Sequence, residues 1–397
     1  MKIKSIIING ILISNAKEQN GLALIFENSK IHSVVLQNSV KLSELENIID
    51  AKGNYVSAGF IELHSHGING YDFMDNDREG IKKALLDYAR FGVTGIFPTT
   101  LSCPFSELEA VIEGLTKASK ENYDGAEILG LHLEGPYFSK EQCGAQAPDV
   151  LCNPSDKKYK EFIEKYPLIK RWDLAPELDG AYEMAEYMSK KGVVSAVAHT
   201  DASFTKTTEA FDHATIATHL YSGMSNVRRV DGFRQGGAVE ACLLDKRVFT
   251  EAICDGIHLP PELLKLIYKI KGSKKMCLVT DSMRGAAMPE GSKCMLGHKK
   301  RGTEVVVSNG VAWLPDKSSF AGSVATFDVL LRTAQKIGIP IEKAVQMATE
   351  APAKAMKLKN KGFLKQGFDA DIVIFDKNIN ILQTICNGNI AYKKEGK

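Results

Sequence analysis

Eight apolar, strand-like runs alternate with helical patterns through the middle of the chain. The runs cover residues 56–64, 95–100, 128–134, 172–177, 193–199, 215–219, 248–255 and 276–281. Helical patterns lie between most of them, and a longer helical pattern at 324–337 follows the eighth run. Strands joined by helices form parallel sheets with right-handed crossovers, and eight such units close into a barrel. The alternation therefore predicts an α/β fold with a TIM-like (β/α)₈ barrel.

Both ends of the chain are rich in short apolar strands and turns. Candidate strands lie at 3–8, 22–27 and 30–36 near the start and at 362–364, 370–375 and 382–391 near the end. Neither end has enough apolar surface to fold alone, because a few isolated strands are only marginally stable. We therefore predict one small β-sandwich domain, built from residues 1–55 and 360–397, and a catalytic barrel over residues 56–359.

The composition is that of an ordinary globular protein, with a net charge of only +2, so bulk charge gives no reason to expect a nucleic-acid partner. No apolar run approaches the ~18 uncharged residues of a membrane span, so we expect no membrane association. The apolar start is interrupted by the turn pair Asn9-Gly10, which indicates short strands and not a signal peptide. The eight cysteines are scattered without a CxxC pair, which favours a cytoplasmic location.

Potential metal ligands and proton-transfer groups end most of the predicted strands. A single histidine there is more often a structural residue, but rim histidines would not independently select the same end of several strands. The ends of barrel strands are also where catalytic groups cluster. A His-x-His pair on an extended strand points both rings to one face. The candidate ligands are His64, His66, Glu134, His199 and His219.

Imidazole and carboxylate ligands without a nearby cysteine suit a divalent metal ion, with Zn²⁺ as first choice and Fe²⁺, Co²⁺ or Mn²⁺ as alternatives. Glu134, His199 and His219 would make one three-ligand site with an open position. His64 and His66 could hold a second ion, so we expect one or two per subunit. Such an ion polarises a carbonyl and lowers the pKa of bound water toward about 7, which makes the water a nucleophile.

Asp281 ends the eighth predicted strand and is the candidate general acid/base. A carboxylate in this position can take a proton from the attacking water and return it to a leaving amine. The alternative role for Asp281 is a helix N-cap. The metal-ligand context favours the acid/base role.

Several motifs occur in a fixed order along the chain: His64-Ser65-His66, GLHLEGP at 130–136, AHTD at 198–201, THL at 218–220, DGIH at 255–258, VTDS at 279–282 and AGS at 321–323. Together with the ending at 362–373 they resemble the N-acetylglucosamine-6-phosphate deacetylases of the amidohydrolase superfamily, over essentially the whole chain. The segments HLEGP and HTDA are specific to this deacetylase group, whereas His-x-His marks only the superfamily. The resemblance implies hydrolysis of N-acetyl-D-glucosamine 6-phosphate to D-glucosamine 6-phosphate and acetate.

The resemblance also implies roles for individual residues. Glu134, His199 and His219 would hold the main metal ion. Some family members have lost the first-strand histidine pair and use one metal, so His64 and His66 allow a second here. Glu134 would take the bridging place that a carboxylated lysine has in most two-metal superfamily members. Residues 320–322 would reach the substrate from a late loop. The implied substrate contacts are Ala145, Gln146, Ser222, Gly223, Arg234, His258, Phe320, Ala321 and Gly322.

The phosphate needs a separate site, since the chain has no P-loop motif. Arg228, Arg229 and Arg234 follow the sixth predicted strand, and a guanidinium fork suits a phosphate. In the family an arginine of this region binds the phosphate, often from the neighbouring subunit. We therefore expect a homodimer, with Arg234 as first choice and solvated loop arginines as the alternative.

Two departures from the family pattern affect the substrate more than the reaction. The sequence HLYSGM at 219–224 lacks the asparagine that many members carry, and Gln146 stands where some members have histidine. The same hydrolysis of N-acetylgalactosamine 6-phosphate, another acylated amino sugar or a cyclic amide therefore stays open. A non-catalytic barrel is disfavoured, because the chain keeps every ligand and the acid/base.

Overall fold

The computed structural model describes residues 4–41, 46–317 and 319–395. Residues 1–3, 42–45 and 396–397, which belong to the predicted terminal domain, lie outside the described residues, as does residue 318. The predicted strand at 3–8 is described from Lys4 onwards, as Lys4–Ile8.

Eight parallel strand positions form the barrel, as the alternation predicted. The third position consists of two short strands, which both pair with the second. The ring closes between the first and the eighth position, where Ser65 and Ser282 form a parallel bridge and the Asp281 N–H donates to the His64 carbonyl at 2.9 Å. In order, the strands are Phe60–Ser65, Val93–Thr100, Glu127–Ile128 with Leu131–Leu133, Ile169–Leu174, Val194–Val197, Ala214–Ala217, Phe249–Ile253 and Met276–Val279.

Amphipathic helices cover the barrel. The helix Arg78–Arg90, for example, begins after Asp77, whose carboxylate accepts a hydrogen bond from the Gly80 N–H at 3.2 Å, and it buries Ile81, Leu85 and Tyr88 against the strands. No described helix is both long and apolar enough to cross a membrane. The other α-helices are Phe105–Ala118, Lys158–Lys165, Ala181–Lys191, Phe204–Ala210, Ala238–Leu244, Pro261–Lys271, Phe327–Lys336, Ile341–Ala348 and Glu350–Ala355.

The two ends of the chain form two facing sheets. The four-stranded sheet has the order Lys30–Leu36, Leu22–Glu27, Lys4–Ile8, Asn47–Asp50. The six-stranded sheet has the order Asn389–Lys393, Ile381–Cys386, Ile372–Phe375, Tyr55–Ala58, Ile11–Ser14, Lys17–Gln19. One apolar cluster joins them, with Ile7 and Leu24 from the first sheet and Leu12, Val56 and Ile372 from the second. The arrangement is a β-sandwich built from both termini, and the domain boundaries stay a prediction.

The predicted strand at 56–64 is in fact two strands. Tyr55–Ala58 pairs with Ile11–Ser14 and Ile372–Phe375 in the terminal sheet, whereas Phe60–Ser65 belongs to the barrel. Gly59 separates them and packs so closely on Thr94 that an added Cβ would lie 2.1 Å from its hydroxyl oxygen. Continuous apolar character hid this break, because it says nothing about which sheet a residue joins.

A four-stranded antiparallel sheet, called the inserted sheet below, lies in the chain between the eighth barrel strand and the helix Phe327–Lys336. Its last strand, Phe320–Ser323, continues into the barrel edge through a bridge between Ser282 and Ser323. The expectation of a loop at 320–322 is therefore wrong. The strands pair in the order Lys293–Leu296, Thr303–Ser308, Val311–Trp313 and Phe320–Ser323.

Two smaller antiparallel hairpins complete the described strands. One pairs Gly67–Ile68 with Tyr71–Asp72. The other pairs Arg228–Val230 with Phe233–Gln235 and carries the three arginines that follow the sixth barrel strand. Short 3₁₀ turns occur at Gln37–Ser39, Phe73–Asp75, Lys140–Gln142, Pro148–Val150 and Pro154–Asp156.

Candidate metal centre and active site

The carboxylate of Glu134 lies at the centre of the side chains that end the barrel strands. Its Oε1 is 3.1 Å from His199 Nε2, 3.0 Å from His219 Nε2 and 3.5 Å from His64 Nε2. Its Oε2 is 3.3 Å from His66 Nε2. The two oxygens of one buried carboxylate thus face different histidines.

Asp281 faces the same cluster from the eighth strand. Its Oδ1 lies 3.3 Å from the Nε2 atoms of both His64 and His66. Three overlapping sets of side chains have ligand atoms within 4.8 Å of one another, so the cluster offers more than one metal position. The sets are His64, His66 and Glu134; His64, His219 and Asp281; and Glu134, His199 and His219.

The chain turns sharply at three of these ligand positions. His199, His219 and Asp281 each follow a barrel strand and have φ of 43°, 26° and 48°. Positive φ is uncommon for residues other than glycine, costs of order 1–3 kcal/mol and concentrates at functional sites. This backbone conformation directs the three side chains toward the barrel axis instead of continuing the strand.

Hydrogen bonds behind two of the rings set their orientation. His199 Nδ1 lies 2.8 Å from the carbonyl oxygen of Gln142, and His66 Nδ1 lies 3.3 Å from that of Thr99. A carbonyl can only accept, so each Nδ1 carries the proton and each Nε2 is left to act as a ligand. Both rings are therefore prepared to bind a cation through Nε2.

Unsatisfied buried atoms support the fit of a metal ion. Both ring nitrogens of His64 and Nδ1 of His219 lack a hydrogen-bond partner with good geometry among the described residues. Buried polar atoms in native proteins are nearly always satisfied. A divalent cation among imidazole and carboxylate ligands would satisfy His64 Nε2 and match the chemistry of the donors.

The pKa shifts within the cluster also show that its carboxylates favour a nearby positive charge. Burial raises the pKa of Glu134, but the charge of His64 and the hydrogen bonds from His199 and His219 outweigh it and hold the pKa well below its usual range. Burial lowers the pKa of His66, yet its hydrogen bonds to Asp281 and Glu134 raise the pKa to about 9. The negative charge of the cluster likewise raises the pKa values of His64 and His199, so that a cation or a proton is favoured at these three rings.

Asp281 stays ionised at neutral pH. Burial raises its pKa, but the positive charge of His64 and the hydrogen bond from His66 lower the pKa to about 2. An ionised carboxylate beside the ligand cluster can accept a proton. This observation agrees with the predicted acid/base role, which stays a prediction.

A buried layer of charged residues lies beneath the ligands, and the sequence analysis missed it. Arg171 is paired with Asp173 and Glu251, and none of the three is exposed to solvent. Glu251 Oε2 is 3.5 Å from His64 Nδ1, and Asp173 Oδ2 is 2.9 Å from His132 Nε2. The only signal in the sequence is the presence of charged residues inside apolar strands.

Glu62 is a further buried carboxyl group in this layer. Its Oε2 accepts a hydrogen bond from the Thr280 hydroxyl at 2.7 Å, and its Oε1 accepts one from the His64 N–H at 3.1 Å. Burial outweighs these bonds and raises the pKa of Glu62 to about 8. Glu62 thus links the first strand to the eighth below the ligands as a mostly protonated group at neutral pH.

A pocket of about 140 Å³ opens above the cluster. It brings together six of the nine residues predicted to contact substrate, which are Ala145, Gln146, Ser222, His258, Phe320 and Gly322. Four other lining residues were not predicted from the sequence, namely Leu101, Gly144, Leu296 and Ser319. Small or aliphatic residues carry no chemical signal by which a sequence could identify them.

The other three predicted contact residues do not line this pocket in the described chain. Gly223 packs behind a ligand, and a Cβ there would lie 2.7 Å from His199 Nδ1. Ala321 is fully buried in the apolar cluster of the inserted sheet. Arg234 lies on the exposed hairpin after the sixth strand. The first two positions act through packing, and the role of Arg234 stays a prediction.

Two of the predicted contact residues have defined partners. Asp255 holds His258 through Oδ2, which is 2.6 Å from His258 Nδ1, so that Nε2 is available to the pocket. Gln146 donates from Nε2 to Glu134 Oε2 at 2.7 Å and accepts at Oε1 from the Ser102 N–H at 2.8 Å. Gln146 therefore holds a metal ligand in place, a role that the sequence analysis did not assign.

A (β/α)₈ barrel with imidazole and carboxylate ligands at its strand ends, and an ionised carboxylate beside them, is typical of metal-dependent hydrolases. The model of the amidohydrolase family matches residues 55–391. The chain belongs to this family.

Two relatives and one solved structure that resemble the chain are named deacetylases. The chain is 33% identical over 351 residues to an N-acetylglucosamine-6-phosphate deacetylase of Lysinibacillus sphaericus, covering 86% of this chain and 87% of that protein. It is 29% identical to an N-acetylgalactosamine-6-phosphate deacetylase of Escherichia coli O157:H7, covering 87% and 90%. The crystal structure of N-acetylglucosamine-6-phosphate deacetylase from Pasteurella multocida superposes with a TM-score of 0.89 at 26% identity, covering 98% and 99%.

Replacing Glu134 by Gln should remove most of the bound divalent metal, because Glu134 belongs to two of the three ligand sets. Metal content of the purified variant, measured by elemental analysis, should fall to less than about a tenth of the wild-type value. Glu141→Gln is the matched control, since Glu141 is exposed in the loop that follows the same strand. Unchanged metal content in Glu134→Gln would show that this carboxylate is not a ligand.

Proposed function

We propose that this protein is a metal-dependent deacetylase that hydrolyses N-acetyl-D-glucosamine 6-phosphate to D-glucosamine 6-phosphate and acetate. The observation that carries the proposal is the ionised Asp281, 3.3 Å from two histidines of a buried ligand cluster at the base of the pocket. The names of the similar deacetylases support the substrate. The reaction breaks a linear amide and needs both an activated water and a proton for the leaving amine.

Glu134, His199 and His219 would hold the main divalent metal ion, and His64 and His66 a second, with Zn²⁺ as first choice. When bound, the metal supplies Lewis-acid chemistry, polarising the acetamide carbonyl and lowering the pKa of a water molecule. Glu134 would contribute to both positions, because its two oxygens face different histidines. Gln146 keeps this carboxylate oriented through its bond to Oε2.

Asp281 transfers the protons of the reaction. Its ionised carboxylate first takes the proton from the attacking water. It then delivers the proton to the amine nitrogen as the C–N bond breaks, which releases acetate and the amino sugar. The low pKa of Asp281 keeps the carboxylate in its base form at neutral pH. After it has taken the proton from water, the same group is the acid for the second step.

The sugar would occupy the part of the pocket formed by Ser222, His258 and Phe320. Asp255 fixes the His258 ring so that Nε2 can bond a sugar oxygen, and the Phe320 ring lies 4.9 Å from the His258 ring, between centroids. An aromatic face next to a polar ring suits the mixed apolar and hydroxyl surface of a pyranose. The glycine at 322 leaves room beside them.

The phosphate would be bound by Arg234 of a partner subunit in a homodimer. Arg228 is already paired with Asp201 at 2.7 Å, whereas Arg229 and Arg234 make no ion pair with another described residue. Phe233, beside Arg234, is 75% exposed, which suits a hairpin that packs on a second copy. The eight cysteines are free, and this agrees with a reducing, cytoplasmic location.

N-acetylgalactosamine 6-phosphate is the second candidate substrate, because a relative with similar coverage carries that name. A non-catalytic barrel is not favoured, since the cluster keeps its ligands and its acid/base.

The experiment that tests the proposal is acetate release from N-acetylglucosamine 6-phosphate, from its galacto epimer and from unphosphorylated N-acetylglucosamine, with and without a chelator. We expect fast turnover of the gluco phosphate that the chelator abolishes and that added divalent metal restores. Faster turnover of the galacto phosphate would reassign the substrate. No turnover of any of the three by a metal-loaded protein would overturn the proposal.

Asp281→Asn should reduce kcat by at least about a hundredfold, because general acid–base catalysis contributes about 10²–10⁴-fold. Metal content should stay near the wild-type value, since Asp281 is absent from the set formed by Glu134, His199 and His219. Parallel kinetics and elemental analysis check both. Loss of metal together with activity would make Asp281 chiefly a ligand.

Arg234→Ala should raise KM for the phosphorylated substrate by about tenfold or more, with a smaller change in kcat, because the phosphate lies far from the amide that is cleaved. The unphosphorylated sugar, assayed alongside, should show no such change. Arg228→Ala is the control, because Arg228 is occupied by Asp201. A normal KM in Arg234→Ala would move the role to Arg229.

A further inference from the structure

A second cavity, the side chamber, adjoins the active-site pocket. It has a volume of about 180 Å³, well above the ~30 Å³ that one water molecule occupies in the liquid. The two cavities share four lining residues, and these form the wall between them. The shared residues are Leu101, Ala145, Gln146 and Leu296.

Most of this wall is aliphatic. Leu101, Ala145 and Leu296 belong to one apolar cluster with buried residues of the inserted sheet, such as Val305. Gln146, the polar member, has both ends of its amide engaged by Glu134 and Ser102. The side of the active-site pocket next to the chamber is thus suited to an apolar group of the substrate.

The interior of the chamber continues this apolar character. Met74, Cys103, Pro104 and Val150 line it beyond the wall. A straight hydrocarbon chain that passes the wall would therefore meet carbon and sulfur atoms of these side chains, and its burial against them would be favourable. Polar and charged residues complete the lining, and they are Ser102, Glu107, His298, Arg301 and Thr303.

The turn 297–302, between two strands of the inserted sheet, contributes several residues to the lining of the chamber. Asp75 holds this turn, since its Oδ1 accepts from the Lys299 N–H at 2.6 Å and its Oδ2 bonds Arg284 at 3.0 Å. Arg301 is paired with Glu107 at 3.1 Å. These bonds fix one side of the chamber without involving the wall residues.

The chemistry of amide hydrolysis sets the direction of the acyl group. The carbonyl carbon must lie beside Asp281 and the ligand cluster, and the amino-sugar ring needs the polar and aromatic side at His258 and Phe320. The substituent on the carbonyl carbon then faces the remaining, aliphatic side, formed by Leu101 and Leu296. This orientation rests on the proposed function.

We propose that Leu101 limits the acyl group of the substrate to acetyl, and that the side chamber is an acyl subsite that receives a straight chain of four carbons once Leu101 is shortened. Leu101 is only partly buried and follows the second barrel strand directly, so its side chain can be trimmed without altering a strand. Hydrolysis of such a substrate releases butanoate and the same amino sugar, with the same bonds broken and formed.

The test compares N-acetyl- and N-butanoyl-glucosamine 6-phosphate as substrates of the metal-loaded enzyme. Leu101→Ala should raise the ratio of kcat/KM for butanoyl over acetyl by tenfold or more, because one methylene in a fitted pocket is worth about 10–200-fold in specificity. Leu101→Val, which is less disruptive to folding, should raise the ratio by a smaller factor in the same direction. Thermal unfolding curves confirm that each variant is folded.

Two further variants distinguish an effect of the chamber from a general loosening of the packing around the active site. Leu314→Ala is the matched control, because Leu314 packs on the same apolar cluster but lines neither cavity, and the ratio should not change. Ala147→Phe, added to Leu101→Ala, should remove the gain, because Ala147 is exposed and lines only the chamber. An aromatic ring there fills the space that the butanoyl chain would use.

An unchanged ratio in both Leu101 variants, with acetyl substrate still hydrolysed by the wild type, would overturn the proposal. A gain that Leu314→Ala reproduces, or that Ala147→Phe leaves intact, would also overturn it. Failure of the wild-type enzyme to hydrolyse the acetyl substrate would count against the proposed function itself, so the two failures are distinguishable.

Discussion

The buried carboxylate of Glu134 is the group on which the candidate site depends. Four histidines from three other barrel strands converge on its two oxygens, and none of these side chains is more than slightly exposed. A charge in such a place is tolerated only when opposite charge or a metal compensates it. The site therefore follows from one electrostatic requirement, which a divalent cation meets with the donors that are present.

The barrel meets this requirement by geometry. Strand ends of a closed parallel barrel share one rim, so residues as distant as His64 and Asp281 come within 3.3 Å. Positive φ at His199, His219 and Asp281 directs each side chain inward just where its strand ends. Below the rim, the buried pairs of Arg171 with Asp173 and Glu251 support the ligands. Removing one partner of such a pair typically costs about 3–5 kcal/mol, because the other partner is left as an uncompensated buried charge.

Much of the fold was predictable from local patterns. Alternation of strands and helices indicated the barrel, and several element bounds agree with the structure, such as Leu22–Glu27 and Lys30–Leu36. The inserted sheet at 293–323 was missed, because its short strands pair mainly with one another and have no helix between them. The double strand at 55–65 was merged for a related reason, since apolar character does not tell which sheet a residue joins.

The sequence by itself determined the kinds of ligand, their order along the chain and the candidate acid/base beside them. Histidine, glutamate and aspartate at the ends of predicted strands can be read directly from the sequence. Tertiary structure alone decided what each group touches. Gln146 binds Glu134 because a loop folds back over the third strand, and the cavity wall at Leu101 and Leu296 exists because the inserted sheet packs on the rim. Contacts between distant segments depend on how the chain closes in space, and aliphatic residues carry no chemical mark of such a position.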